Sequence, residues 1–212
     1  GGVVNILNIN AGLHSDEWDQ IMSVAQRLTL SEDKHLRIEP VEALSTLRGE
    51  HRHVGRTVLP AHREIVLEAV AGNAMELDVE LDPQEARWVQ LNVLRSANAE
   101  ERTSITFYNY DRVLHYWYHA KGLVCLDGSR SSQRADVWLR PPEQVTAPRN
   151  PGEPLRLRVF IDRSVVEVFV NGRHYLAMRV YPGREDSVGV SLLAQGQDAV
   201  LMKLDAWQMQ SI

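Results

Sequence analysis

The chain has 212 residues, 44% of them hydrophobic, and carries 23 Lys and Arg against 28 Asp and Glu for a net charge of −5. That length suits one large all-β domain or two small ones, and the apolar share is enough for a packed core. Charges of both signs are scattered without a basic stripe, which speaks against nucleic acid as a partner. No apolar run approaches the roughly 20 residues that span a bilayer, and the first ten residues lack the basic start and apolar core of a signal peptide.

In chain order, VVNILNIN at residues 3–10 reads as an apolar strand, AGLHSDEWD as a polar loop, and QIMSVAQRLTL at residues 20–30 as a second strand. After Pro40, VEALSTLR repeats Val41, Leu44 and Leu47 at three-residue spacing and predicts a short connecting helix over residues 41–48. From about Lys34 onward, alternation with a period of two dominates. MELDVELD places Met75, Leu77, Val79 and Leu81 on one side and Glu76, Asp78 and Glu80 on the other, the mark of a half-buried antiparallel strand. Further strands are predicted at RWVQLNVL, SITFYNY, ADVWLR, LRLRVFID, VVEVFVN, HYLAMRVYP and VGVSLLA, and AVLMKLDAWQM alternates well enough for a strand while leaving helix open. Turn residues punctuate them at Asp82-Pro83, Pro151-Gly152, Asn171-Gly172 and Pro182-Gly183, with Asn-Gly signalling a two-residue hairpin. Residues 141–154 hold five of the nine prolines and read as a long loop inside one domain. The pattern predicts an all-β fold, a two-sheet antiparallel β-sandwich.

The candidate chemistry starts with Asp162 and Glu167 in the stretch LRVFIDRSVVEVFVNGRHY, which ends at Tyr175. A glycosidase needs two carboxyl groups about 5–5.5 Å or 6.5–9.5 Å apart. On one straight strand these two would lie roughly 16 Å apart on opposite faces. If DRS is a tight turn, with Asp162 accepting backbone N–H groups, they come closer; the reading then is scaffold, because Asp at a turn is most often a turn former.

His51 and His53 share one face of a strand, about 6.6 Å apart, and would begin a zinc site, but the sequence shows no third ligand beside them. His115 and His119 would chelate on a helix; in a strand they sit about 13 Å apart. Cys125 reads as a buried strand residue, and there is no nucleophile elbow, dinucleotide fingerprint or phosphate loop. No catalytic, cofactor-binding or metal residue is therefore assigned. Phe107, Tyr108, Tyr110, Tyr116, Trp117 and Tyr118 form an aromatic cluster that could stack on sugar, although alternation turns half of such side chains into the core.

The order of three segments carries a resemblance: WDQIMSVAQRLTLSEDKHLRIEPVEALSTLRGE from Trp18, CLDGSRSS from Cys125, and LRVFIDRSVVEVFVNGR from Leu157. Together they closely resemble the C-terminal portion of glycoside hydrolase family 32, the invertase, levanase and inulinase group. The resemblance implies a lectin-like β-sandwich at residues 49–212, preceded at residues 1–48 by the last strands of a five-bladed catalytic β-propeller and a linker helix. Two positions depart from the family pattern: Ala25-Gln26-Arg27-Leu28 keeps only the leucine of a proline-arginine-glutamate-leucine motif, and Gly128 stands where arginine is common.

The family's nucleophile lies in Asn-Asp-Pro, its stabiliser in Arg-Asp-Pro and its acid/base in Glu-Cys. Here Asp82-Pro83 follows Leu81 and the cysteine follows Val124, so none of the three is present. The resemblance therefore implies a non-catalytic module that completes or stabilises a catalytic propeller, in cis or in trans, and an isolated chain without fructosidase activity. Two alternatives stand beside it: a carbohydrate-binding, lectin-like module for fructan or another sugar, and one chain of a split glycosidase.

Overall fold

The computed structural model describes residues 2–4, 21–109 and 122–211. In chain order the strands are β1 (Gly2–Val4), β2 (Gln26–Leu30), β3 (Leu36–Pro40), β4 (Arg48–Val54), β5 (Thr57–Leu59), β6 (Ile65–Ala71), β7 (Ala74–Asp82) and β8 (Trp88–Arg95). They continue as β9 (Thr103–Tyr108), β10 (Leu123–Asp127), β11 (Glu143–Thr146), β12 (Leu155–Asp162), β13 (Val165–Val170), β14 (His174–Arg179), β15 (Gly189–Gln195) and β16 (Ala199–Met209). A 3₁₀ helix spans Glu42–Leu47, close to the expected connector.

Two antiparallel sheets face each other. One runs β11-β10-β9-β8-β15-β6; the other runs β14-β13-β12-β7-β16-β4, with β5 pairing on β16. The alternation in β7 works as read: Met75, Leu77, Val79 and Leu81 are all fully buried between the sheets. They meet Val159 of β12, Val166, Val168 and Val170 of β13 and Leu204 of β16 within one core, which Val89, Leu91, Ile105, Val124, Val190 and Leu192 close from the opposite sheet. β16 is a strand throughout, lying between β7 and β4, which removes the helical option. A third, small sheet of order β1-β2-β3 precedes the sandwich. β3 touches the sandwich where the Ile38 N–H donates to the Gly172 carbonyl.

Three expectations need correction. ADVWLR forms no strand. Arg134 pairs with Asp136 across a turn, and Pro141-Pro142 follow at once with no N–H to offer a ladder. Residues 141–154 are not all loop, because β11 pairs with β10 there. The stretch expected to run as a strand from residue 20 is ladder-paired only from Gln26 to Leu30. Most of VVNILNIN, the AGLHSDEWD loop and Trp18 lie outside the described residues.

Candidate functional site

Asp162 ends β12 and Val165 begins β13, with Arg163 and Ser164 as the two-residue turn and Arg163 at φ 51°. Asp162 therefore pairs with Val165, and Phe160 with Glu167. Paired residues share a face, so the hairpin brings the two carboxylates to the same side as diagonal neighbours, about 7–8 Å apart along the sheet. Separation alone would admit an inverting pair. Burial excludes it: Asp162 is exposed, but Glu167 is 3% exposed and its oxygens are taken. The Val24 N–H donates to it at 2.9 and 3.2 Å, and the Tyr175 hydroxyl at 2.5 Å. Phe160 and Tyr175 both pack on Phe169 beside it. Burial pushes the Glu167 carboxyl up, against the pull of the Tyr175 and Val24 donors. Glu167 is thus an anchor for residues 23–26, where Ser23 and Gln26 are also buried.

The same outer face of the seven-stranded sheet carries a second buried carboxylate. Glu76 of β7 is fully buried and takes two bonds from Arg48, at 2.8 and 2.7 Å, and one from Arg158 at 2.5 Å. Burial would push Glu76 up, yet the two guanidinium groups hold it below the usual carboxylate range. Arg48 also lies 3.8 Å over the Trp207 ring. Nothing in the sequence marked this cluster, since Glu76 reads as one polar position of an alternating strand.

His51 and His53 do share a face of β4, as read, and the structure adds the neighbour that sequence spacing could not supply. Asp205 of β16 pairs with His53 in register, and its Oδ1 accepts from His51 Nε2 at 2.9 Å and His53 Nδ1 at 2.8 Å. His115 and His119 lie outside the described residues. Cys125 is buried on β10, and burial pushes its thiol up, so it packs as expected.

Of the aromatic cluster, Phe107 is in the core and Tyr108 follows on the opposite face of β9; Tyr110, Tyr116, Trp117 and Tyr118 lie outside the described residues. On the outer face of the six-stranded sheet, Gln90, Asn92, Ser104, Ser191, Glu64 and Arg95 bond one another in a chain.

The model of the family "Glycosyl hydrolases family 32 C terminal" matches residues 42–208. The chain belongs to that family. A β-fructofuranosidase, insoluble isoenzyme 2, of Daucus carota is 28% identical over 230 residues, covering 92% of this chain and 38% of its own length. Sucrose-6-phosphate hydrolase of Escherichia coli is 28% identical over 199 residues, covering 91% and 35%. Among solved structures, fructan 1-exohydrolase IIa from Cichorium intybus superimposes with a TM-score of 0.83 at 18% identity, over 99% of this chain and 45% of that one. The family 32 C-terminal module thus accounts for the sandwich, and the chain spans less than half the length of these relatives.

Proposed function

We propose that this family 32 module is a non-catalytic accessory sandwich of a β-fructosidase-type hydrolase, seated against a catalytic β-propeller, with residues 1–48 forming the seam and residues 49–212 the sandwich. The observation that carries the reading is the small β1-β2-β3 sheet. Leu30 pairs with Leu36, Leu28 with Ile38 and Val4 with Gln26, so these side chains share one face. On that face Gln26 and Pro40 are buried and Leu28 and Ile38 half-buried, while Leu30 is 71% and Leu36 47% exposed at one end and Val4 is exposed at the edge. Apolar side chains gathered at the open end and edge of that small sheet are read here as the part that another body covers. Support for the identity of that body comes from the relatives, family 32 enzymes in which the module packs on an N-terminal propeller. Two buried carboxylates on the outer face of the sandwich, Glu76 and Glu167, are consumed in internal bonds, which supports the non-catalytic reading.

The test has two arms. The purified chain, assayed on sucrose, inulin and levan, releases no fructose; release from any of them overturns the non-catalytic reading. Mixed with a family 32 propeller cut free of its own sandwich, the chain co-elutes on size exclusion, and a Leu30→Lys, Leu36→Lys double variant does not. Equal behaviour of variant and parent would remove β1-β2-β3 as the seam.

A further inference from the structure

We infer that Arg102 and Arg130 form a binding site for a phosphate group, as the free anion or on a phosphate monoester, at one end of the six-stranded sheet. Arg102 immediately precedes β9 and Arg130 follows β10. The Arg102 N–H donates to the Arg130 carbonyl at 2.7 Å, so the pairing of these two strands brings the residues together. Both guanidinium groups turn to one acceptor, the Ala99 carbonyl, which Arg102 Nη1 meets at 3.0 Å and Arg130 Nη2 at 3.3 Å. Two positive charges are thus held against a single oxygen.

Each guanidinium carries five N–H donors, and among the described residues the pair spends them on that carbonyl and on no carboxylate. Arg102 Nε is buried without an acceptor. Neighbouring arginines are treated differently: Arg95 is paired with Glu64, and Arg184 with Asp186 and Glu100. Burial and the Arg130 charge push the Arg102 guanidinium below its usual range, as expected of a cation beside an uncompensated like charge. An oxyanion between the two removes that repulsion. A carboxylate has oxygens for one planar fork, whereas a tetrahedral phosphate can serve both.

The loop that carries Ala99 is fixed by hydrogen bonds. Glu101 is fully buried and accepts from the Gln133, Gly183 and Arg184 N–H groups and the Ser187 hydroxyl, while Ser96 Oγ bonds Asn98 and the Glu101 N–H. Such a frame spares a ligand the cost of ordering it. Arg130 is exposed and Arg102 half-buried, which opens the pair to solvent. β14 runs from beside Gly172, where β3 touches, toward Gly183 beside Glu101, so the site lies away from the β3 contact. Two carboxylates oppose binding by acting on Arg102: Glu64, already paired with Arg95, and Asp127.

Calorimetric titration of the chain with sodium phosphate, glucose 6-phosphate and glucose, at low ionic strength to limit screening, tests the site. Both phosphate ligands bind at one site per chain and glucose does not. Tighter binding of glucose 6-phosphate assigns the site to a monoester, and equal or tighter binding of phosphate assigns it to the free anion. Arg130→Gln, at an exposed position, weakens binding at least about tenfold, the scale of one lost charge-assisted hydrogen bond. Arg130→Lys keeps the charge, loses the fork and falls between. Asp127→Asn retains an acceptor for the Ser129 N–H and tightens binding by removing an opposing charge. Arg156→Gln, at an exposed arginine of the other sheet, leaves it unchanged. Arginine side-chain NMR gives an independent reading, with the Arg102 and Arg130 Nε–H signals shifting together. The inference is overturned by the absence of saturable heat with either phosphate ligand at millimolar concentration, or by equal binding of glucose and glucose 6-phosphate. Parent-like affinity in an Arg130→Gln variant with parent-like near-UV dichroism overturns it as well.

Discussion

Glu167 accepts from the Val24 N–H and the Tyr175 hydroxyl while burial raises its proton affinity above that of the unfolded chain. The folded state therefore binds the proton more tightly, and the stability this group contributes falls as pH rises from the ordinary carboxylate range through the raised folded value. Glu167→Gln keeps an acceptor for both donors and removes the buried charge; at neutral pH it equals or exceeds the parent in stability. Glu167→Ala strands two donors and costs about 2–3 kcal/mol. Urea denaturation separates them, and a Gln variant as weak as the Ala variant would refute the account.

Glu153 runs the other way. Burial opposes ionisation there, but Arg173, the Asn150 N–H and Asn171 bring its carboxyl down to about 2. Its contribution is present above the unfolded value near 4.5 and is lost as pH falls toward 2. Glu153→Gln flattens the acid limb of a stability profile measured between those limits, and an unaltered limb would show the network to be inert. The tight turn between Asp162 and Val165 was legible from turn chemistry. What buries Glu167 was not, because Val24 lies 143 residues away and no local pattern encodes that meeting.

Among the elements, strands with one clean apolar face were the readable ones. β7, β12 and β13 alternate because one side meets the opposing sheet, and their hairpin turns name themselves. The Val170 carbonyl accepts from the Arg173 N–H with Asn171 and Gly172 both at positive φ, as the Asn-Gly pair demands, although Arg173 adds one residue before the ladder resumes at His174. ADVWLR alternates equally well and failed, since alternation reports on faces and not on whether a neighbour has a ladder to share. Polar positions inside a good strand stayed silent: Glu76 looks like any solvent-facing residue until Arg48 and Arg158 arrive from β4 and β12. Glu76→Gln leaves two guanidinium groups without their charge partner and lowers stability by about 3 kcal/mol. Thermal unfolding checks this, and a loss near zero would mean that water already supports the arginines.

For the molecule as a whole, the departure at Gly128 has a physical reason. A Cβ there would stand 2.7 Å from the Met178 sulfur, so an arginine could enter only by displacing a buried side chain. Gly128→Arg is expected to lower the melting temperature, by about 2–4 °C for each kcal/mol lost in a domain near this size. A melting temperature unchanged within error would show that Met178 yields freely.

The position of β16 sets an order of events during synthesis. β7, at residues 74–82, forms ladders with β12 at residues 155–162 and with β16 at residues 199–209. A ribosome must therefore release more than a hundred further residues before the central strand of the larger sheet acquires its second neighbour. Until then the apolar side of β7 has no finished core to enter, so the unfinished sheet exposes apolar surface to non-native contacts.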